Sequence, residues 1–305
     1  MPDIEGVVLK TDIPLADFTT FRIGGTAALW LEPTDIPGLE KALAILHSNF
    51  PAFRILGNGS NLLVDDRGVD AVLSLNGLTD LGFGNGMLEA GAGVRLSRLI
   101  TFCHSHDLGG LEPLCGIPAS VGGAVKMNAG ANGLNFLDFV ESVLIVTPNG
   151  SQWFKCVDME SGYRDGGIPK GAVVAGCRIR VAEEDAAYLS GRALYRVRRK
   201  RSQEILKRVM AQRILSQPLG QPSAGCIFRN PENDSAGRLI DQAGLKGRRA
   251  GSAEISMKHA NFIVNLGGAS FYNVMELIDC ARERVKAMFG ICLEPEVTIW
   301  KEASA

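Results

Sequence analysis

Two runs of small residues constrain this chain more than any other feature. Gly57-Asn58-Gly59-Ser60-Asn61 lies between the apolar stretches at 53–56 and 62–64. Gly116-Ile117-Pro118-Ala119-Ser120-Val121-Gly122-Gly123-Ala124-Val125-Lys126-Met127-Asn128-Ala129-Gly130-Ala131 is longer, with Ser120 and Asn128 as its uncharged hydrogen-bonding side chains. Glycine lets backbone approach a ligand closely, and successive amides can form a nest for an anion. The first run suits a pyrophosphate. The second suits a flat heteroaromatic ring lying on backbone while polar groups meet its edges. A simple turn explains the first and a packing segment the second, but two such runs in one chain make the plainer explanations harder to hold. The first run is neither Gly-x-Gly-x-x-Gly opening a helix nor Gly-x4-Gly-Lys-Ser/Thr, so the Rossmann and P-loop sites are excluded at the residue level.

Apolar periodicity organises the rest. A strand is predicted over 26–32, a helix over 35–47 with Leu39, Leu43 and Leu46 on one face, and a strand over 53–56, giving a β-α-β opening. From 71 to 181, β-branched runs at 72–75, 143–146 and 173–175 alternate with glycine-rich turns around a helix at 96–106, which indicates a second α+β unit. A helix over 189–214 carries Arg196, Arg198, Arg199, Lys200 and Arg201 opposite Leu194, Val197, Ile205 and Val209, the pattern of a solvated basic face. Apolar residues at 274, 277, 278, 281, 285 and 288 predict a helix over 271–289 ended by Gly290, and a strand over 297–300 follows.

With 32 Lys+Arg against 33 Asp+Glu, there is no overall field to attract nucleic acid or an anionic membrane. A small phosphorylated ligand met at a local site fits better. The start, Met-Pro-Asp-Ile-Glu-Gly, has no basic and apolar leader, and no run is long enough to span a bilayer, so a cytoplasmic protein is expected. The 7 cysteines are odd in number with no Cys-x-x-Cys pair. Reduced thiols are expected, with no disulfide framework and no metal site.

One of these thiols stands apart. Cys226 falls in Pro222-Ser223-Ala224-Gly225-Cys226-Ile227-Phe228-Arg229-Asn230-Pro231, whose flanks read as a loop exposing its tip. A thiol so placed can give a proton to a substrate, whereas most cysteines are buried small hydrophobes.

Thr19-Thr20-Phe21-Arg22-Ile23-Gly24-Gly25, the Leu-Gly-Asn-Gly-Ser-Asn loop, Cys-Gly-Ile-Pro-Ala-Ser-Val-Gly-Gly-Ala-Val, Tyr163-Arg164 and Pro-Ser-Ala-Gly-Cys-Ile-Phe follow one another along the chain. Ala236-Gly237-Arg238-Leu239-Ile240-Asp241, Lys258-His259-Ala260-Asn261-Phe262 and Leu293-Glu294-Pro295-Glu296-Val297 complete the series. In this order they resemble the UDP-N-acetylenolpyruvoylglucosamine reductase family over nearly the whole chain, and its shorter, type II branch in length.

The resemblance implies an α+β protein with a vanillyl-alcohol-oxidase/PCMH-type FAD-binding fold in two subdomains, 1–70 and 71–188. A basic connecting helix and a C-terminal substrate domain follow over 189–305. It implies an oxidoreductase of peptidoglycan synthesis, serving cell wall biogenesis, cell shape and cell division, with FAD as cofactor and NADPH as hydride donor. Its substrate would be UDP-N-acetylglucosamine enolpyruvate. Gly57, Asn58, Gly59, Ser60 and Asn61 would hold the FAD pyrophosphate. Gly116, Ile117, Pro118, Ser120, Gly122, Gly123, Asn128, Gly130 and Ala131 would line the flavin.

Hydride delivery to the β-carbon of an enol ether builds negative charge on the α-carbon and its carboxylate, so a cation or an acid aimed there lowers the barrier. By resemblance Arg164 and Glu296 take that role. The family usually has a serine where this chain has Cys226, and a thiol, being the better acid, can donate the last proton directly. A second departure is Asp165-Gly166-Gly167, where a serine and a bulky residue are common. Arg229 and Asn230 are candidates for the substrate's diphosphate and sugar, and Lys258 and His259 are weaker ones. An FAD-linked oxidase or dehydrogenase of a hydroxy acid or lactone on the same fold is the alternative. A non-catalytic nucleotide-binding protein is a third.

Overall fold

The computed structural model describes residues 4–181 and 191–301, and within them the side chains outside 191–200. The expected helix start at Leu189 and the basic side chains of Arg196, Arg198, Arg199 and Lys200 lie outside what is described. The chain divides into two interleaved units, Met1–Leu9 with Leu31–Asn58 and Val72–Gln212, and Lys10–Trp30 with Gly59–Ala71 and Arg213–Ala305.

The first unit is built on an antiparallel five-stranded sheet in the order Gly150–Lys155, Val140–Thr147, Val173–Arg180, Met87–Gly91, Leu81–Gly84. The helix Leu96–Ser105 buries Leu96, Leu99, Ile100 and Cys103, the i, i+3, i+4, i+7 stripe. These join Val143, Ile145, Val174, Cys177 and Ile179 in one core. The alternate residue Arg178 points the other way, 4.1 Å above the Trp153 ring and 2.7 Å from Glu89. Val121–Lys126, inside the second small-residue run, is a short helix that sequence reading leaves as loop, because Gly122 and Gly123 depress helix propensity. Ser120 starts it by accepting the Gly123 amide at 3.3 Å.

The helix Ile36–Asn49 begins one residue after its cap Asp35, whose carboxylate takes the Gly38 amide at 2.7 Å. The expected β-α-β opening needs one correction. A four-stranded sheet runs in the order Val7–Pro14, Thr26–Pro33, Val69–Ser74, Arg54–Leu56, so a later strand lies between the two that flank the helix. Arg54–Leu56 pairs in parallel with Val72–Ser74, and local periodicity carries no information on such insertion.

The second unit centres on the helix Phe271–Phe289. Ser270 caps it with Asn273 in a reciprocal box, and Gly290 ends it at φ 71. Its face of Phe271, Val274, Leu277, Ile278, Ala281 and Val285 is buried, while Met288, expected on that face, is 47% exposed in the last turn. The core also takes Leu239 and Ile240 from the helix Ala236–Gln242, and Phe21, Ile23 and Leu63 from far back in the chain. The last strand, Thr298–Trp300, pairs in parallel with Leu62–Val64.

Candidate active site

In the first unit the fold brings Gly57 and Asn58, the start of the first small-residue run, to the second run. The Asn58 side chain donates to the Pro118 carbonyl at 2.6 Å, and a Cβ on Gly57 would stand 2.6 Å from Ser120 Oγ. Among the described residues, the amides of Asn58, Gly59 and Ser60 donate to no protein acceptor. Backbone approached this closely, with no room for a side chain at Gly57, suits a dinucleotide's pyrophosphate, so Gly57 and Asn58 fit FAD.

Gly59 is fixed twice, by φ +62 and by the Phe18 carbonyl oxygen that a Cβ would approach to 2.0 Å. Gly59→Val is expected to give a folded protein purified with less than about a tenth of the wild-type flavin, since strain and clash together cost several kcal/mol at the loop. The ratio of flavin absorbance to protein absorbance measures it. Full flavin content would refute the assignment of this loop.

The same unit holds Arg164. Gly162 and Asp165 exchange both backbone hydrogen bonds, at 2.8 and 3.2 Å, across Tyr163 and Arg164, with Arg164 at φ 56. The turn is fastened to the glycine-rich run at two points. Asn128 Nδ2 donates to the Gly162 carbonyl at 3.1 Å, and the Gly166 amide donates to the Lys126 carbonyl at 2.9 Å. The guanidinium stands 5.0 Å from the Tyr163 ring and near Gly130, whose added Cβ would meet its Nη1 at 3.2 Å.

The Asp165-Gly166-Gly167 departure has a local reason. Asp165 Oδ1 takes the Gly167 amide at 3.0 Å, and a Cβ on Gly166 would come 2.0 Å from the Val125 carbonyl oxygen. Asn128, expected at the ring's edge, has its other amide atom occupied as well, since Oδ1 takes the Leu137 amide at 3.3 Å. Its observed work is to tie the glycine-rich run to the turn of Arg164.

In the second unit Cys226 and Glu296, 70 positions apart in sequence, lie on adjoining strips. The Ile227 carbonyl accepts the amides of Glu296 and Val297 at 2.8 and 3.3 Å, and the Arg229 amide donates to the Glu294 carbonyl at 2.9 Å. Both side chains are half-buried. Asn61 holds the Glu296 strip, donating from Nδ2 to the Glu296 carbonyl at 3.0 Å and accepting the Thr298 amide at 3.0 Å. Thr20 holds the Cys226 loop. Its hydroxyl donates to the Ser223 carbonyl at 2.7 Å, and its amide donates to the Gly59 carbonyl at 3.1 Å.

Arg229 is half-buried and Asn230 exposed, with Asn230 Oδ1 accepting the Ala236 amide at 3.1 Å at the start of a helix. Lys258 donates from Nζ to the Ile214 carbonyl. Burial, then the charge of Lys246, holds the His259 imidazole below the ordinary histidine range. Its Nδ1 accepts the Asn261 amide at 3.3 Å, an arrangement that favours the neutral ring. The unfolded chain binds that proton more readily, and stability is expected to fall as pH drops below about 6.5. Thermal melts at about pH 7.5 and about pH 5.5 would show it, and a His259→Gln variant should lose the dependence. Thr20 and Asn261 sit in motifs quoted above, yet nothing in residue type alone marks them as more than loop residues.

The comparisons with known proteins bear on both units. Residues 27–154 match a family model described as an FAD binding domain. Residues 217–300 match one described as the UDP-N-acetylenolpyruvoylglucosamine reductase C-terminal domain. The reductase of that name from Syntrophobacter fumaroxidans is 39% identical over 97% of this chain and 85% of its own. The one from Methylococcus capsulatus is 40% identical over 96% and 93%. A crystal structure of UDP-N-acetylenolpyruvylglucosamine reductase (MurB) from Thermus caldophilus, 35% identical, superposes with a TM-score of 0.79 over 97% of this chain and 99% of the other. An FAD-binding domain followed by this C-terminal domain on an α+β framework defines one lineage, and the chain belongs to the UDP-N-acetylenolpyruvoylglucosamine reductase family.

Proposed function

We propose that this protein reduces UDP-N-acetylglucosamine enolpyruvate to UDP-N-acetylmuramate in peptidoglycan precursor synthesis. FAD, when bound, would supply the hydride-transfer chemistry between NADPH and the β-carbon of the enolpyruvyl group. Residues 57–61 hold its pyrophosphate and residues 116–131 its ring, and residues 189–305 bind substrate. Arg164 and Glu296 stabilise the charge that builds on the substrate's α-carbon and carboxylate, binding that state better than the ground state. Cys226 Sγ–H then gives its proton to the α-carbon, where the electron pair of the former double bond rests. A C–H bond forms, and solvent returns a proton to the thiolate.

The observation that carries this is the single Ile227 carbonyl shared by the strips of Cys226 and Glu296. It joins the backbone of Glu296 to the residue that follows Cys226, in the unit matched by the reductase C-terminal model, and so supports reading the two residues together. Among the described residues no helix is long and apolar enough to cross a membrane, and a nucleotide-sugar substrate with NADPH suits a cytoplasmic enzyme.

The test is anaerobic. NADPH should bleach the flavin absorbance, and UDP-N-acetylglucosamine enolpyruvate should restore it without oxygen. A flavin that recovers only when air is admitted would favour an FAD-linked oxidase of a hydroxy acid or lactone.

Alkylation gives a second check. Burial pushes the Cys103 thiol up to about 12 and raises Cys156 and Cys177 as well. Iodoacetamide near neutral pH is therefore expected to spare the buried thiols of Cys103 and Cys177. Activity is expected to fall in step with modification of the Cys226 peptide, and substrate should slow the loss. Full turnover with Cys226 alkylated would remove it from the chemistry.

A further inference from the structure

Behind the Cys226 strip lies a residue with no assigned role. Asn261 is 2% exposed, and its side chain serves as a strand partner for Phe228. Oδ1 accepts the Phe228 amide at 2.9 Å, and Nδ2 donates to the Phe228 carbonyl at 2.8 Å. Its own carbonyl takes the Ile227 amide at 2.8 Å, and its neighbour Phe262 bridges Cys226. The other edge of the same strip receives the amides of Glu296 and Val297. Residues 226–229 are thus pinned on one side by one asparagine and on the other by the strip of the proposed carboxyl group. A buried amide with both ends satisfied fixes orientation to a fraction of an ångström, because any turn of it leaves polar atoms unpaired.

We propose that Asn261 is a positioning residue for proton transfer, holding the Cys226 sulfur where the substrate's α-carbon is protonated. It touches neither substrate nor cofactor. The inference rests on the reading of Cys226 as the donor. Asn261→Asp keeps the acceptor for the Phe228 amide and removes the donor to its carbonyl. Asn261→Ser is the second variant should the buried carboxylate prevent folding, with flavin content and Tm as checks.

The expected result separates the two half-reactions. Bleaching by NADPH should stay within about twofold of wild type, while recovery with substrate slows about tenfold or more, the scale of a misplaced reacting group. The iodoacetamide rate at the Cys226 peptide, read by mass spectrometry, should also change. In a Cys226→Ala background the Asn261 substitution should alter recovery less than about twofold, since coupled residues are non-additive. Equal slowing of both half-reactions, or the same slowing in both backgrounds, would overturn the positioning role. Cys226→Ala with wild-type recovery would overturn the donor reading itself, and that result is read from the single variant before Asn261 is altered.

Discussion

Cys226→Ala is expected to slow the recovery of flavin absorbance by substrate about 10²- to 10⁴-fold, the range for losing a positioned general acid. The NADPH half-reaction should be left nearly unchanged. The split follows from where the proton is needed, because hydride transfer from NADPH requires no protein acid, whereas the α-carbon must be protonated before product is complete. Substrate affinity should change little, since a thiol contributes to the protonation barrier rather than to ground-state binding. Cys226→Ser is the informative partner. It keeps a proton donor at the same position, so the rate should return to within about tenfold of wild type while sensitivity of this position to iodoacetamide and peroxide disappears. Stopped-flow traces of both half-reactions decide the matter. If the alanine and serine variants recover equally fast, a solvent molecule supplies the proton and Cys226 only fills space.

An excised fragment of residues 213–305 is expected to be unfolded, although it contains the whole stretch matched by the C-terminal family model. Thr298–Trp300 would lose its parallel partner Leu62–Val64, and the core would lose Phe21, Ile23 and Leu63, all at most 2% exposed. At ~2 kcal/mol for each buried apolar side chain these three supply about 6 kcal/mol. The whole net stability of a small domain is about 5–15 kcal/mol. Removing them, together with a strand pairing and the Thr20 and Asn61 hydrogen bonds, leaves too little to order the chain. Circular dichroism and amide exchange of the fragment would show it. A cooperative thermal transition near that of the full chain would mean that the segments 10–30 and 59–71 are dispensable.

What could be read in the sequence was what is local. The helix Phe271–Phe289 was legible because its apolar spacing, its cap and the terminating glycine agree, and five of the six apolar positions named for its face, 274 to 285, are buried. The glycine-rich runs marked where backbone comes close to backbone, as at Asn58 and Pro118. Strand order was not legible. Nothing in 26–56 says that Val69–Ser74 will enter between two earlier strands, since pairing is a choice among distant partners. The pairing of the strips that carry Cys226 and Glu296 was likewise invisible to spacing. Asn128 shows what residue type alone does not tell. Its place in a glycine-rich run pointed to a ligand's edge, and its amide also ties that run to the turn of Arg164 and to Leu137.

Asn61 stands at the end of the open amides and also carries the Glu296 carbonyl. A molecule that stiffens the loop at one end of that asparagine stiffens the carboxyl strip at the other, and free energy exchanged in this way is symmetric. Whatever factor flavin adds to the affinity for substrate analogue, analogue must return to the affinity for flavin. On the proposed assignment of this loop to FAD and of the Glu296 strip to substrate, dialysis is expected to strip flavin from the resting protein faster than from protein saturated with UDP-N-acetylmuramate, and Asn61→Ala should make the two rates converge.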